Sequence, residues 1–293
     1  MSLLMMIAPG AILLVLFNYL PMLGIFIAFK EPNMALGLLK SPWAGIKNFE
    51  FFVKNPDFLL IMRNTIGYNL IFLIVGNIVS LTVAILLNEI RARKASGFYQ
   101  SVMLLPYFLS WIAISYIVFA FLSMDKGLIN TLLVKLGKSP VQWYSEPKFW
   151  PGFLIFMNRW RYTGYDMVIY LAAIVGLDNT LFDAARVDGA SKWQQIKYVT
   201  LPMLSPIITI VMLLALGRMF IGDFDLFYAV PRNSGPLFPV TQVMDTFVYR
   251  ALIQYGNVAM AAAAGVFQSI IGFVLIVSAN RVVRWIDPEK SLY

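Results

Sequence analysis

Apolar residues in this chain fall into six long blocks separated by polar stretches. A helix rising about 1.5 Å per residue needs roughly 20 mostly apolar residues to cross the hydrocarbon core of a membrane. Blocks of that kind run at about 2–29, 64–88, 101–123, 152–176, 203–222 and 257–280. The pattern predicts six spanning helices, which puts both termini on one side of the bilayer. Pro9, Pro21 and Pro106 lie within or near the ends of blocks. Neighbouring helices can satisfy the carbonyls that proline frees, so kinks are expected there and not breaks. The opening block has no basic segment before it and far exceeds the apolar part of a signal peptide, about 7–15 residues, so it is read as the first span.

Two polar intervals have a pattern of their own. "GIKNFEFFVKNPDF", within about 42–60, sets Ile46, Phe49, Phe52 and Val53 at helical spacing. That is the pattern of a short amphipathic helix lying in the interface, and equally of a cap over the bundle. The second interval, "DAARVDGASKWQQIKYVTLPMLSP", runs from Asp183 to Pro206. Thr180 with Asp183 three residues on reads as a capping box, which starts a helix just past Asp178-Asn179-Thr180. Phe182, Ala185, Gly189, Trp193 and Ile196 then recur every three or four residues, giving one apolar face, with Arg186, Lys192 and Lys197 around the rest. Glycine inside such a helix costs about 1 kcal/mol relative to alanine, so Gly189 calls for a bend or a close backbone approach by a partner. Leu201-Pro202 ends the segment, with proline in the first turn of the next span. A simple connector, with Asp188 paired to Lys192 at i,i+4, fits the same residues. In the sixth block Ala261, Gly265 and Ser269 recur every fourth position, which lets helices pack closely.

Composition acts mainly by exclusion. Of 293 residues, 60% are hydrophobic and 13% charged, with a mean hydropathy of +0.74. Those values belong to an integral membrane protein. Cysteine and histidine are both absent, which removes thiolate and imidazole metal sites, the usual nucleophiles and histidine proton relays. The formal charge of +8 suits loops facing anionic lipid, and there is no basic, aromatic-interleaved patch of the kind that binds nucleic acid. Nine Lys and Arg (Arg91, Arg93, Lys94, Arg186, Lys192, Lys197, Arg281, Arg284 and Lys290) lie on the side of the 89–100 and 177–202 segments and the C-terminal tail. Eleven lie opposite, spread over longer segments, so density assigns the first side to the cytoplasm. Gly137-Lys138-Ser139 lacks the glycine a phosphate-binding loop needs five residues earlier, where Leu132 stands.

Charges inside blocks are costly, at least roughly 2.5 kcal/mol each near the bilayer centre. The fourth block nevertheless contains "NRWRYTGYDMVIYL", with Arg159, Arg161 and Asp166, and Arg218 lies in the outer half of the fifth block, just before "GDFDLF" with Asp223 and Asp225. Arg161 and Tyr165 share one helix face; Arg159 and Asp166 lie two turns apart on another. Trp160, Tyr162, Tyr165 and Tyr170 supply rings and hydroxyls suited to sugars. Two readings fit: charges pairing to hold the bundle together, or a passage for a polar solute whose carboxylates or phosphates the arginines attract.

"DAARVDGASKWQQIKYVTLP" resembles the EAA signature of ABC-importer permeases, an acidic residue, Ala-Ala, two variable positions, Asp-Gly-Ala and a closing Leu-Pro. The matching positions are Asp183, Ala184, Ala185, Asp188, Gly189, Ala190, Leu201 and Pro202. "YLPMLGIFIAFK", "SPWAGIKNF", "RNT", "LLNEIR", "LPYFLSW", "IYLAAI" and "TFVYRALIQ" extend the likeness over the chain, to the carbohydrate permeases of the lipoprotein/polysaccharide (LplB-like) branch, relatives of the maltose-importer subunits. The resemblance implies an all-α type I importer permease fold: one permease domain over 1–293, six transmembrane helices, and a cytoplasmic coupling helix within about 178–202 that seats in an ATPase subunit. It also implies a second homologous permease, two ATPase subunits that use ATP and Mg, an extracytoplasmic solute-binding protein, and no cofactor or catalysis on this chain. The location implied is the bacterial inner membrane, with both termini cytoplasmic. Together with the arginines, it points to an oligosaccharide cargo that is acidic, since alginate importers have permeases of this type. Asp183 departs from the signature's usual Glu and Ile196 from a frequent Phe. Two rivals remain: a solitary carrier or channel, for which Asp166 is the only acid deep in a span, and a glycan-processing enzyme, for which Asp223 and Asp225 form the only close acidic pair.

Overall fold

The computed structural model describes residues 2–33, 36–50, 54–254, 256–288 and 291. Phe52 and Val53 of the expected interfacial helix, and Lys290, lie outside them. Among the described residues the chain is helical apart from loops and a single bridge, Lys30 to Trp43. Four stretches are individually long and apolar enough to cross a membrane, Met5–Phe29, Phe58–Asn88, Lys192–Gly217 and Val258–Ile286, and two bent pairs bring the number to six. The first crossing is α1 (Ser2–Leu14), continued through a π turn (Val15–Tyr19) to a 3-10 stretch, Leu23–Phe29. The rest of the bundle comprises α2 (Phe58–Asn88), α3 (Arg93–Leu104), α4 (Trp111–Leu122), α5 (Leu128–Lys135), α6 (Trp150–Val175), α7 (Asn179–Val187), α8 (Lys192–Gly217), α9 (Met244–Ile253) and α10 (Val258–Ile286).

The three prolines differ in outcome. Pro9 lies inside α1 without ending it. Pro106 marks a break and not the expected kink: the helix passes into a 3-10 turn, Leu105–Phe108, and the chain bends by 94° before α4. The second helix has its own start, because the Ser110 hydroxyl accepts the Ala113 N–H at 3.2 Å. Pro21 follows a π turn, and so does Pro202. Both occur in the same triplet, Leu-Pro-Met, and in each the leucine N–H reaches back five residues, Leu20 to Val15 and Leu201 to Ile196. The widened turn sits where the pyrrolidine ring would crowd the carbonyl four residues back. Pro202 therefore does not open the fifth span, which already begins at Lys192.

Three apolar clusters hold the bundle. One gathers Trp111, Trp150, Tyr68 and Phe227; a second gathers Ile61, Met244 and Ala263 with Ala28 of the first crossing; the third packs Ala84, Met167 and Leu204 near the end that carries Gly189. Close helix approach in α10 occurs at Gly272, where a side chain would come within 2.7 Å of the Gly217 carbonyl, and not at Gly265 of the expected stripe, where an added Cβ would meet nothing within 4 Å.

Candidate functional site: a polar cavity and the Gly189 turn

α2, α6, α8 and the segment following α8 enclose a cavity of about 550 Å³. Arg159, Asp166, Tyr170 and Arg218 line it; Trp160, Arg161 and Tyr165 do not. Arg159 and Asp166 face inward because a separation of seven residues is close to two helical turns. Their Nη1 and Oδ2 are 3.6 Å apart, and the Arg159 side chain is only 14% exposed. Pairing and cavity lining thus coexist in the same residues. Arg159 also donates through Nε to Asn158 Oδ1 at 2.9 Å and lies over the Phe72 ring at 5.8 Å. Gly76 of α2 makes room for it, since any side chain there would overlap the guanidinium. Tyr170 donates its hydroxyl proton to Asn77 Oδ1. Arg218 caps α8, is exposed at the cavity, and makes no ion pair among the described residues.

Arg161 instead stacks its guanidinium on Trp111 at 4.6 Å. Tyr165 stacks flat on Tyr107 at 4.5 Å, and Trp160 is partly exposed on the outside of the helix. Asp223 closes one side of the cavity, accepting from Trp111 Nε1 and from the Tyr162 hydroxyl, each at 2.9 Å. Among the lining groups outside the predicted set, Asn77 and Asn158 had a sequence signal, amides inside apolar blocks. The room made by Gly76 had none, because it depends on a residue of another helix.

At the other site, α7 and the start of α8 are two helices and not the single apolar-faced helix expected. Asp178, not Thr180, caps α7, accepting the Thr180 N–H at 2.9 Å, and those hydrogen bonds hold its carboxyl below the usual carboxylate range. Gly189 has φ +77°, the left-handed conformation glycine adopts most readily. Its N–H reaches the Arg186 carbonyl at 3.0 Å, and the Ala190 N–H reaches Ala185 at 2.9 Å, the two bonds of a Schellman stop. Gly189 is thus a helix terminator and not a tolerated interior residue. A capping box then restarts the chain: Gln194 N–H donates to Ser191 Oγ, and Ser191 N–H donates to Gln194 Oε1. The connector's expected partner is also wrong, since Lys192 pairs with Glu89 at 2.7 Å and not with Asp188. Asp183 pairs with Arg186 at 2.8 Å.

Ala185, Asp188, Gly189 and Ala190 border a hollow of about 240 Å³, and Ala184 lies exposed beside it. Val187 and Trp193 flank the turn, 88% and 70% exposed. Leu201 and Pro202, by contrast, lie inside α8 beyond its π turn. Apolar side chains exposed around a helix stop, at the junction of the fourth and fifth crossings, form a surface suited to a protein partner.

Six crossings around a polar cavity, with an exposed turn between the fourth and fifth, define a membrane permease. The chain belongs to the family of binding-protein-dependent transport system inner membrane components, whose model matches residues 76–291. It is 34% identical over 285 residues to the polygalacturonan/rhamnogalacturonan transport system permease protein YteP of Bacillus subtilis (strain 168), covering 97% of this chain and 88% of that one. It is 31% identical to protein LplB of the same organism, covering 97% and 89%. The crystal structure of a bacterial ABC transporter involved in the import of the acidic polysaccharide alginate contains a chain that superimposes with a TM-score of 0.87 at 28% identity, over 98% of this chain and 96% of that one. A second alginate importer structure, in complex with alginate pentasaccharide-bound periplasmic protein, gives 0.86 at 28% identity, over 97% and 94%. The expected fold class, an all-α importer permease, holds, and membership sets aside the solitary carrier.

Proposed function

We propose that the chain is one of two permease subunits of an ATP-driven importer that carries an acidic oligosaccharide across the bacterial inner membrane, with both termini cytoplasmic. The Gly189 turn carries this reading. α8 starts at that turn and runs 26 residues, about 39 Å, to the segment that walls the cavity. A push on the turn by an ATPase subunit, which supplies ATP and Mg chemistry, is delivered along one helix to the cavity wall. ATP shifts the cavity between inward- and outward-facing states only as far as it binds one state better than the other. Asp183, Ala184, Ala185, Asp188, Gly189 and Ala190 form the ATPase-facing element. A second permease is supported by the first crossing, whose apolar residues Met5, Met6, Phe17 and Leu23 are all more than half exposed. A solute-binding protein delivers cargo at the far end, as the family description implies.

Acidic cargo is supported by Arg159 and Arg218 in the cavity and by the substrates named for the relatives. The test is uptake by the complete importer in liposomes. Labelled oligogalacturonide enters only with ATP and all partners present, and Arg218→Ala lowers uptake of acidic more than neutral oligosaccharide. Uptake by the permeases alone sinks the ATP-driven reading, and equal uptake of acidic and neutral cargo sinks the acidic one.

A further inference from the structure

The end of α8 remote from the Gly189 turn is fastened by side chains of two other helices. Beyond Gly217 the chain leaves the helix through a turn, 218–222, in which the Arg218, Met219 and Ile221 N–H groups find acceptors three residues back. Two further backbone groups of the turn reach outside it. The Phe220 carbonyl accepts from Gln268 Nε2 of α10 at 2.5 Å, and the Gly222 N–H donates to Asp245 Oδ2 of α9. The same Gln268 nitrogen donates to Asp245 Oδ1 at 3.1 Å, which closes the ring of contacts. Gln268 is buried, and position 222 needs glycine, because a Cβ there would stand 2.7 Å from Asp245 Oδ2. α9 is itself anchored: the Met244 N–H, next to Asp245, donates to Thr65 Oγ1 of α2 at 2.9 Å.

Irregular backbone at the end of a membrane span must find partners, and a neutral amide or hydroxyl would serve. A partly buried carboxylate with no ion pair among the described residues is a costlier fastener. It stands where N–H donors from two separate segments converge, and such bonds to a carboxylate are stronger than those to a neutral acceptor. The fastened turn also matters by its place, since Met219, Ile221, Gly222 and Asp223 line the main cavity. Just before it α8 meets α10 closely at Gly217 and Gly272. α8, α9 and α10 are thus joined at one corner of the cavity.

We propose that Asp245 and Gln268 clasp the far end of α8 to α9 and α10, so that a displacement begun at the Gly189 turn moves the cavity wall and those helices as one body. Asp245 is a positioning residue for transport and not a cargo ligand. The clasp rests on the ATP-driven reading above. The experiment uses the complete importer in liposomes with trigalacturonate as the probe. Asp245→Asn keeps the shape but sets an amide against one of the two donors. It lowers the trigalacturonate moved per ATP hydrolysed about 10-fold, the size of one charge-assisted hydrogen bond, and leaves the KM unchanged. Gly222→Ala, whose methyl group displaces the carboxylate, lowers the same ratio without touching the charge. Spin labels read the motion directly, and because this chain has no cysteine they go only to exposed Ile210 of α8 and Ile253 of α9. Their separation is the same with and without trapped ATP in the wild type, and changes on ATP trapping in Asp245→Asn. A wild-type separation that already changes, or a variant as constant as the wild type, overturns the proposal. An unchanged ratio of cargo to ATP with only a lower unfolding temperature marks a structural fastener, and a raised KM marks a cargo ligand; either overturns it as well. Wild-type uptake without ATP overturns the reading beneath the clasp, whereas ATP-driven uptake with normal variants overturns the clasp alone.

Discussion

The Gly189 turn and the main cavity are built on opposite terms. The turn is almost entirely local: Asp178, Gly189, Ser191 and Gln194 each act on backbone within three residues, and the one long-range polar tie among the described residues is the exposed Lys192–Glu89 pair. The cavity is almost entirely non-local: Arg159 needs Gly76 on another helix, and Asp223 is fixed by donors on α4 and α6. A local element withstands the loss of its surroundings, whereas a buried polar network fails when one member goes. This suits the roles proposed above, a turn that transmits force and a cavity that rearranges.

The sharpest way to break this contrast is to remove one partner of the pair in the cavity. Asp166→Ala leaves Arg159 unanswered and lowers unfolding stability by about 3 kcal/mol, at the low end for buried pairs because Asp166 is partly exposed. Thermal unfolding of the purified importer measures it, and Arg159→Met with Asp166→Leu recovers most of the loss. Next comes Gly189→Val, which forces a β-branched residue into the left-handed region at about 1–2 kcal/mol. Its Cβ would meet nothing within 4 Å. The unfolding midpoint of the bundle therefore stays within a few degrees, while ATP hydrolysis continues without cargo uptake.

Lys192→Ala removes an exposed ion pair worth under about 1 kcal/mol. Its effect is confined to faster proteolysis or amide exchange around the turn. The smallest effect is on pH. Because hydrogen bonds to Thr180 lower the Asp178 pKa in the fold, the cap stabilises α7 above the ordinary carboxylate pKa, and this is lost as pH falls through the lowered value. Amide exchange at the start of α7 accelerates across that acid window, and Asp178→Asn, which still accepts the bond, abolishes the dependence.

The same contrast governs what could be read from sequence. The six crossings follow from apolar length alone, and the Gly189 signature from a few adjacent residues. The single-helix reading of 178–196 failed because apolar spacing of three and four happens to continue across a stop and a restart. Asp178 and Thr180 both satisfy the local rule for a cap, and only the accepted bond separates them. In the cavity, Arg159 and Asp166 were legible because their separation is close to two turns of one helix. The room at Gly76 and the Asp245 clasp were not, since the latter unites positions 220–222, 245 and 268, which no periodicity links.

The π turns before Pro21 and Pro202 also have an angular meaning. Each inserts one residue beyond the α-helical count, which rotates everything after it by about 100° relative to everything before. Trp193 and the cavity-lining Val211 and Leu214 therefore keep a phase that no straight helical wheel through α8 reproduces. Deleting one residue from Ile196–Thr200 would leave the helix unbroken and the composition nearly unchanged, yet it would turn the cavity wall away from its pore whenever the turn was held by a partner.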